Sequence, residues 1–154
     1  GEIVMSPSPR MRHQAIAANL FALLRENCPP GLVVFFAPFD VALEERSVVV
    51  PDLIVFDPGM AEERGLEGPP LLAVEILSPS TRARDLVRKK RLYERAGVAA
   101  YWIVDPDDEI TLTSWELDDG RYRAVASIAG DEEWTASTPF PVTVVAGTLG
   151  DLNR

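Results

Sequence analysis

Two spacings of apolar residues alternate along this 154-residue chain, and each change of spacing marks an element. From Arg10 to Asn27, Ile16, Leu20, Leu23 and Leu24 recur at helical intervals until "CPPG" ends the run, which predicts a helix. Short apolar runs predict strands at "EIVM", "LVVFF", "VAL" (41–43), "SVVVPDLIVF", "LLAVEIL", "AYWIV", "ITLTSWEL", "RYRAVAS" and "FPVTVV". "SVVVPDLIVF" reads as one strand and "FPVTVV" as a last edge strand. "DDG" between "ITLTSWEL" and "RYRAVAS" is a hairpin signal, and the Gly/Pro-rich stretch 57–70 reads as a polar loop. "LLAVEIL", the basic segment after it and "AYWIV" spell strand, helix, strand, the pattern of a parallel crossover. The strands outnumber the helices too heavily for a doubly wound sheet. The class expected is α/β of an α+β-like kind, a mixed sheet flanked by two main helices with an antiparallel C-terminal hairpin. Residues 1–154 read as one domain, and the immediate entry into a strand at Gly1 raises the expectation that an N-terminal segment is missing.

Two of these strands carry a charge where the pattern calls for an apolar residue. Glu75 interrupts "LLAVEIL", and Asp52 interrupts "SVVVPDLIVF" on the face that alternation assigns to Val50, Ile54 and Phe56. An ionised carboxylate in low dielectric needs a cation, a proton or a metal beside it. If the two strands are neighbours, the carboxylates converge, and a hard cation such as Mg²⁺ would relieve their repulsion.

The segment after Glu75 offers a second partner. Residues 82–95 hold seven basic and two acidic side chains, a net +5 that leaves −14 on the remainder of a chain at −9. Stepping the helix at 100° per residue puts Arg84, Arg88, Arg91 and Arg95 on one stripe, read as the solvated face. That stripe points away from Lys89, which argues against its clamping a substrate over a metal. Asp85, Lys89, Leu92, Tyr93 and Ala96 share the opposite, sheet-facing side, while Lys90 lies at its margin. Lys89 and Lys90 are the only lysines of the chain. Asp85 reads as an i,i+4 partner of Lys89 or a first-turn charge, Ser80 and Thr81 as an N-cap, and Tyr93 as packing. His13, on the apolar side of the first helix, reads as a hydrogen-bonded core histidine able to approach the site.

Composition narrows the classes further. One cysteine, Cys28, excludes an intrachain disulfide and a cysteine-built zinc site, and is compatible with a cytoplasmic protein. The single His13 excludes a histidine cage, and no apolar run is long enough to span a membrane. The acidic balance counts against a polyanion ligand.

"VPDLIVF", "PPLLAVEILSPST", "DLVRKKRLYERAGV" and "YWIVDP" together resemble the Uma-two family of putative restriction endonucleases, assigned to the PD-(D/E)xK nuclease superfamily. The resemblance implies a restriction-endonuclease-like fold and catalytic residues Asp52, Glu75 and Lys89. The implied metal ligands are Asp52, Glu75 and the Ile76 backbone carbonyl, with Mg²⁺ as cofactor and Mn²⁺ as substitute. Leu77 stands where the superfamily lysine would be; in the resembling family that lysine lies on the following helix, where Lys89 is. The expected function is a metal-dependent nuclease acting on nucleic acid, in the first instance DNA, as a homodimer, with His13, Asp85 and Tyr93 as accessory residues. The alternative is an inactive interaction or regulatory module in which Glu75 and Lys89 form a structural ion pair.

Overall fold

The computed structural model describes residues 9–81 and 83–153. The expected "EIVM" strand lies outside them. Helix α1 (Pro9–Asn27) occupies the predicted span, and Ile16, Leu20 and Leu24 on one side of it are fully buried. Each such side chain contributes about 1.5–3 kcal/mol when removed from water, so this stripe docks the helix firmly.

The central sheet has six strands. β1 (Val33–Phe36) lies at one edge; the "SVVVPDLIVF" segment then divides. Its first half forms β3 (Ser47–Val49), which pairs with β2 (Val41–Glu44) in a separate sheet, and its second half forms β4 (Leu53–Phe56) beside β1. The single strand expected here is therefore corrected to two. Pro51 has no N–H for a ladder, and the chain bends at Asp52 instead of continuing.

Stretch 57–70 is also more ordered than a loop. It holds a short 3₁₀ turn and the small strands β5 (Ala61–Glu62) and β6 (Gly65–Glu67), giving a four-stranded sheet in the order β3-β2-β6-β5. Gly65 sits at φ +149°, and a Cβ there would lie 2.3 Å from the Asp40 carbonyl oxygen, so only glycine fits.

β7 (Leu72–Ile76) lies beside β4 and runs parallel to β8 (Ala100–Asp105), the two joined through α2 (Ala83–Ala96). β9 (Thr111–Asp118) and β10 (Arg121–Ala129) complete the order β1-β4-β7-β8-β9-β10. Their turn, Asp119 at φ 52° and Gly120 at φ 78°, has both central residues in the left-handed region, as the "DDG" signal requires. β11 (Glu133–Ala136), absent from the sequence reading, pairs with β12 (Val142–Val145), so "FPVTVV" joins a separate hairpin and not the edge of the main sheet.

All five residues of β7 are buried. Leu72, Val74 and Ile76 join the core that holds α1, β11 and β12, whereas Ala73 packs on the other face with Tyr93, Val98 and Tyr101 under α2. Glu75 shares the parity of Ala73, which turns it toward α2.

Candidate active site

Asp52 and Glu75 approach each other where β4 and β7 end. The β4–β7 register pairs Leu53 with Val74, yet the Asp52 N–H also donates to the Val74 carbonyl, at 3.0 Å. Two successive residues of one strand thus face one residue of the other, a local bulge that re-aims a side chain. This corrects the alternation that grouped Asp52 with Val50, Ile54 and Phe56. Ile54 and Phe56 do pack together in a core, but Val50 is exposed, and Asp52 is turned along the end of the sheet.

In that position Asp52 Oδ2 accepts from the Ile76 N–H at 2.7 Å, and Oδ1 lies 3.4 Å from His13 Nε2 on α1. A residue's N–H and C=O in an extended strand point to the same neighbour, so the Ile76 carbonyl is also directed to the Asp52 side. His13 is half-buried and belongs to the rim of the site, not to the core.

Glu75 is 6% exposed, and both of its oxygens are engaged. Tyr93 donates its hydroxyl to Oε1 at 2.6 Å, and the Lys89 ammonium lies 3.3 Å from Oε2. Burial nevertheless raises the Glu75 pKa above the usual carboxylate range. Tyr93 and Lys89 oppose that shift, and the charge of Asp52 adds to it. The same burial, with Glu75 beside it, holds the Tyr93 phenol well above its ordinary value, so Tyr93 remains a donor.

The sheet-facing side of α2 is thus as the sequence predicts for Lys89 and Tyr93, and different in detail for its neighbours. Tyr93 does more than pack. A fully buried tyrosine needs a partner for its hydroxyl, and its place one turn beyond Lys89 on the same face was the signal for Glu75. Asp85 forms no i,i+4 pair with Lys89, whose ammonium goes to Glu75, and has no hydrogen bond or ion pair among the described residues. Lys90, expected to reach water, is half-buried with its ammonium 4.7 Å above the Trp115 ring of β9. The expected N-cap adjoins residue 82, outside the described residues; the Ser80 and Thr81 hydroxyls bond Ser78.

An open pocket of about 390 Å³ leads to Asp52, lined by His13, Gln14, Phe21 and Phe36 among others. Two carboxylates and a backbone carbonyl are hard oxygen donors. Among the described residues no group of three or more His, Cys, Asp or Glu could hold a metal, so an all-protein cage does not fit. A largely hydrated Mg²⁺, which typically takes one or two carboxylates and completes its shell with water and phosphate, does fit.

The mixed sheet with a helix on each face is an α+β fold. A solved structure with this fold is the putative nuclease belonging to DUF820 from Anabaena variabilis ATCC 29413, at TM-score 0.64 and 21% identity over 90% of this chain and 78% of that one. The Uma2 family, described as "Putative restriction endonuclease", matches residues 1–148, and the chain belongs to that family. No functionally curated protein matches it.

Proposed function

We propose that the protein is a metal-dependent nuclease that hydrolyses phosphodiester bonds of nucleic acid at the Asp52–Glu75 end of β4 and β7. The observation that carries this reading is the nearness of two carboxylates at one end of the sheet, buried Glu75 with the Lys89 ammonium beside it and bulge-directed Asp52 at the wall of an open pocket. Structural ion pairs need no pocket and no second carboxylate.

In this reading Asp52, Glu75 and the Ile76 carbonyl hold Mg²⁺, or Mn²⁺ in its place. When bound, the ion supplies a more acidic water and offsets charge on a phosphoryl oxygen. The residues of the chain do the remainder. Tyr93 fixes the Glu75 carboxylate by its short hydrogen bond, and the Ile76 N–H fixes that of Asp52. Lys89, about one-third exposed at its side chain, is held by Glu75 with its ammonium free to orient water or meet developing negative charge. His13 borders the free side of Asp52. A homodimer with two such sites would suit cleavage of both strands of a DNA duplex.

The competing reading is an inactive module. It is favoured by one observation, that both Glu75 oxygens already have partners. Calorimetric titration with Mg²⁺ and Mn²⁺, for wild type and Glu75→Gln, tests between them. Binding that the substitution abolishes, with metal-dependent cleavage of a mixed nucleic-acid substrate, supports the nuclease. Absence of both metal binding and cleavage in the wild type, even with substrate present, overturns it.

A further inference from the structure

The four exposed arginines of α2 do not border open solvent alone. Arg84, Arg88, Arg91 and Arg95 line a groove of about 560 Å³ closed on its other side by Ser47 of β3, with Val87 and Leu92 between. Arg95 is neutralised by Glu44 of β2, its Nε 2.7 Å from Oε1 and its Nη2 3.4 Å from Oε2. Arg84, Arg88 and Arg91 have no hydrogen bond or ion pair among the described residues. In a chain with 24 acidic residues, three neighbouring guanidiniums without a carboxylate form an electrostatic anomaly.

We infer that this groove binds the phosphodiester backbone of nucleic acid, away from the cleavage site and on the opposite side of the same helix. The inference rests on the nuclease reading for the identity of the polymer. Its geometry favours a linear polyanion over a single small anion, because the three arginines follow one another along a single stripe of α2. At about 1.5 Å per residue, Arg84 to Arg91 spans roughly 10 Å. Phosphates of one duplex strand rise about 3.4 Å each along the helix axis, so the row has the length of a few consecutive phosphates. Guanidinium forks also suit phosphate oxygens better than ammonium groups do. Val87, 52% exposed beside these arginines, offers an apolar surface to sugar or base. The helix then has two jobs on two faces: Lys89 and Tyr93 serve the carboxylate, and the arginines hold the substrate. The stripe is not a clamp over the metal, as its direction already required. It is an exosite that offsets locally the repulsion between an acidic protein and a nucleic acid.

The test is fluorescence anisotropy with a labelled 20-mer, single-stranded and duplex, in EDTA at salt concentrations from 50 to 200 mM. Three proteins are compared: wild type, Arg84→Gln/Arg88→Gln/Arg91→Gln, and the control Arg64→Gln/Arg121→Gln/Arg123→Gln. All six arginines are exposed, so both variants should keep the wild-type circular dichroism and melting temperature. The groove variant should lose about 2 from the slope of log K against log salt on single strands, or nearly 3 on duplex, because each lost phosphate contact removes roughly 0.7 or 0.9. The control should keep the wild-type slope. An unchanged slope in the groove variant, an equal loss in the control, or no binding by the wild type would each overturn the inference. Metal-dependent cleavage, measured separately, judges the nuclease reading. Cleavage with an unchanged slope sinks the groove alone, and a lost slope without cleavage sinks the nuclease alone.

Discussion

The Tyr93 hydroxyl donates to Glu75 Oε1 across 2.6 Å, a buried hydrogen bond between a helix and the strand it covers. Its acceptor is the most deeply buried acid of the site. A hydrogen bond to a charged group contributes about 1.5–3 kcal/mol, and its loss leaves the carboxylate less compensated. Tyr93→Phe is therefore expected to lower unfolding free energy at neutral pH by about that amount. Urea denaturation measures it, and the deficit should shrink in acid, where a protonated Glu75 depends less on its donor.

Glu75 itself makes stability depend on pH. Its folded-state pKa is raised, chiefly by burial, so the native chain holds this proton more tightly than the unfolded chain does. The favourable contribution is fully present below the ordinary glutamate pKa and is lost as pH rises through the raised one. Measured against Glu75→Gln, wild-type melting temperature should rise as pH falls from 8 toward 5. A flat difference would mean that Lys89 and Tyr93 cancel the cost of burial.

On the nuclease reading Lys89 serves both the chemistry and the buried acid. Its side chain is about one-third exposed but its ammonium faces buried Glu75, so Lys89→Met should cost about 1–3 kcal/mol of unfolding free energy. Cleavage should fall by about 100-fold or more, the scale seen when a preorganised electrostatic group is removed. Mg²⁺ binding should persist in calorimetry. Full activity in this variant would remove Lys89 from the mechanism.

At Asp52 two substitutions separate charge from hydrogen bonding. Asp52→Asn keeps an oxygen for the Ile76 N–H and removes the charge, so the fold should survive and metal affinity should drop at least tenfold. Asp52→Ala also strands that N–H, at a further cost of about 1–3 kcal/mol. Chemical denaturation and metal titration of the pair distinguish support of the strand from support of the ion.

Much of the candidate site was legible in the sequence because it breaks local patterns. Asp52 and Glu75 stand in apolar strands, and Lys89 is a charge on an apolar helix face. Tyr93 breaks no such pattern. It fits the buried face, and its second role follows only from the partner its hydroxyl meets. Asp85 looked like part of the site on helical spacing, but the ammonium it would have paired with is drawn to Glu75. The strand break at Pro51 was masked by continuous β-forming residues on both sides, and the bend there sends Asp52 toward α1. β5, β6 and β11 are short and partly polar; β6 forms against the distant β2, and β5 and β11 form only as hairpin partners of β6 and β12.

The bond from Asp52 to the Ile76 N–H bears on how loss of the proposed activity would look in related chains. An aspartate that completes the edge of a core strand is retained by selection for folding even after chemistry has ceased. Its presence in a relative therefore says little about whether that relative is a pseudoenzyme. Lys89 holds no backbone group and meets only Glu75, so on the nuclease reading its replacement would be the earlier sign of lost activity.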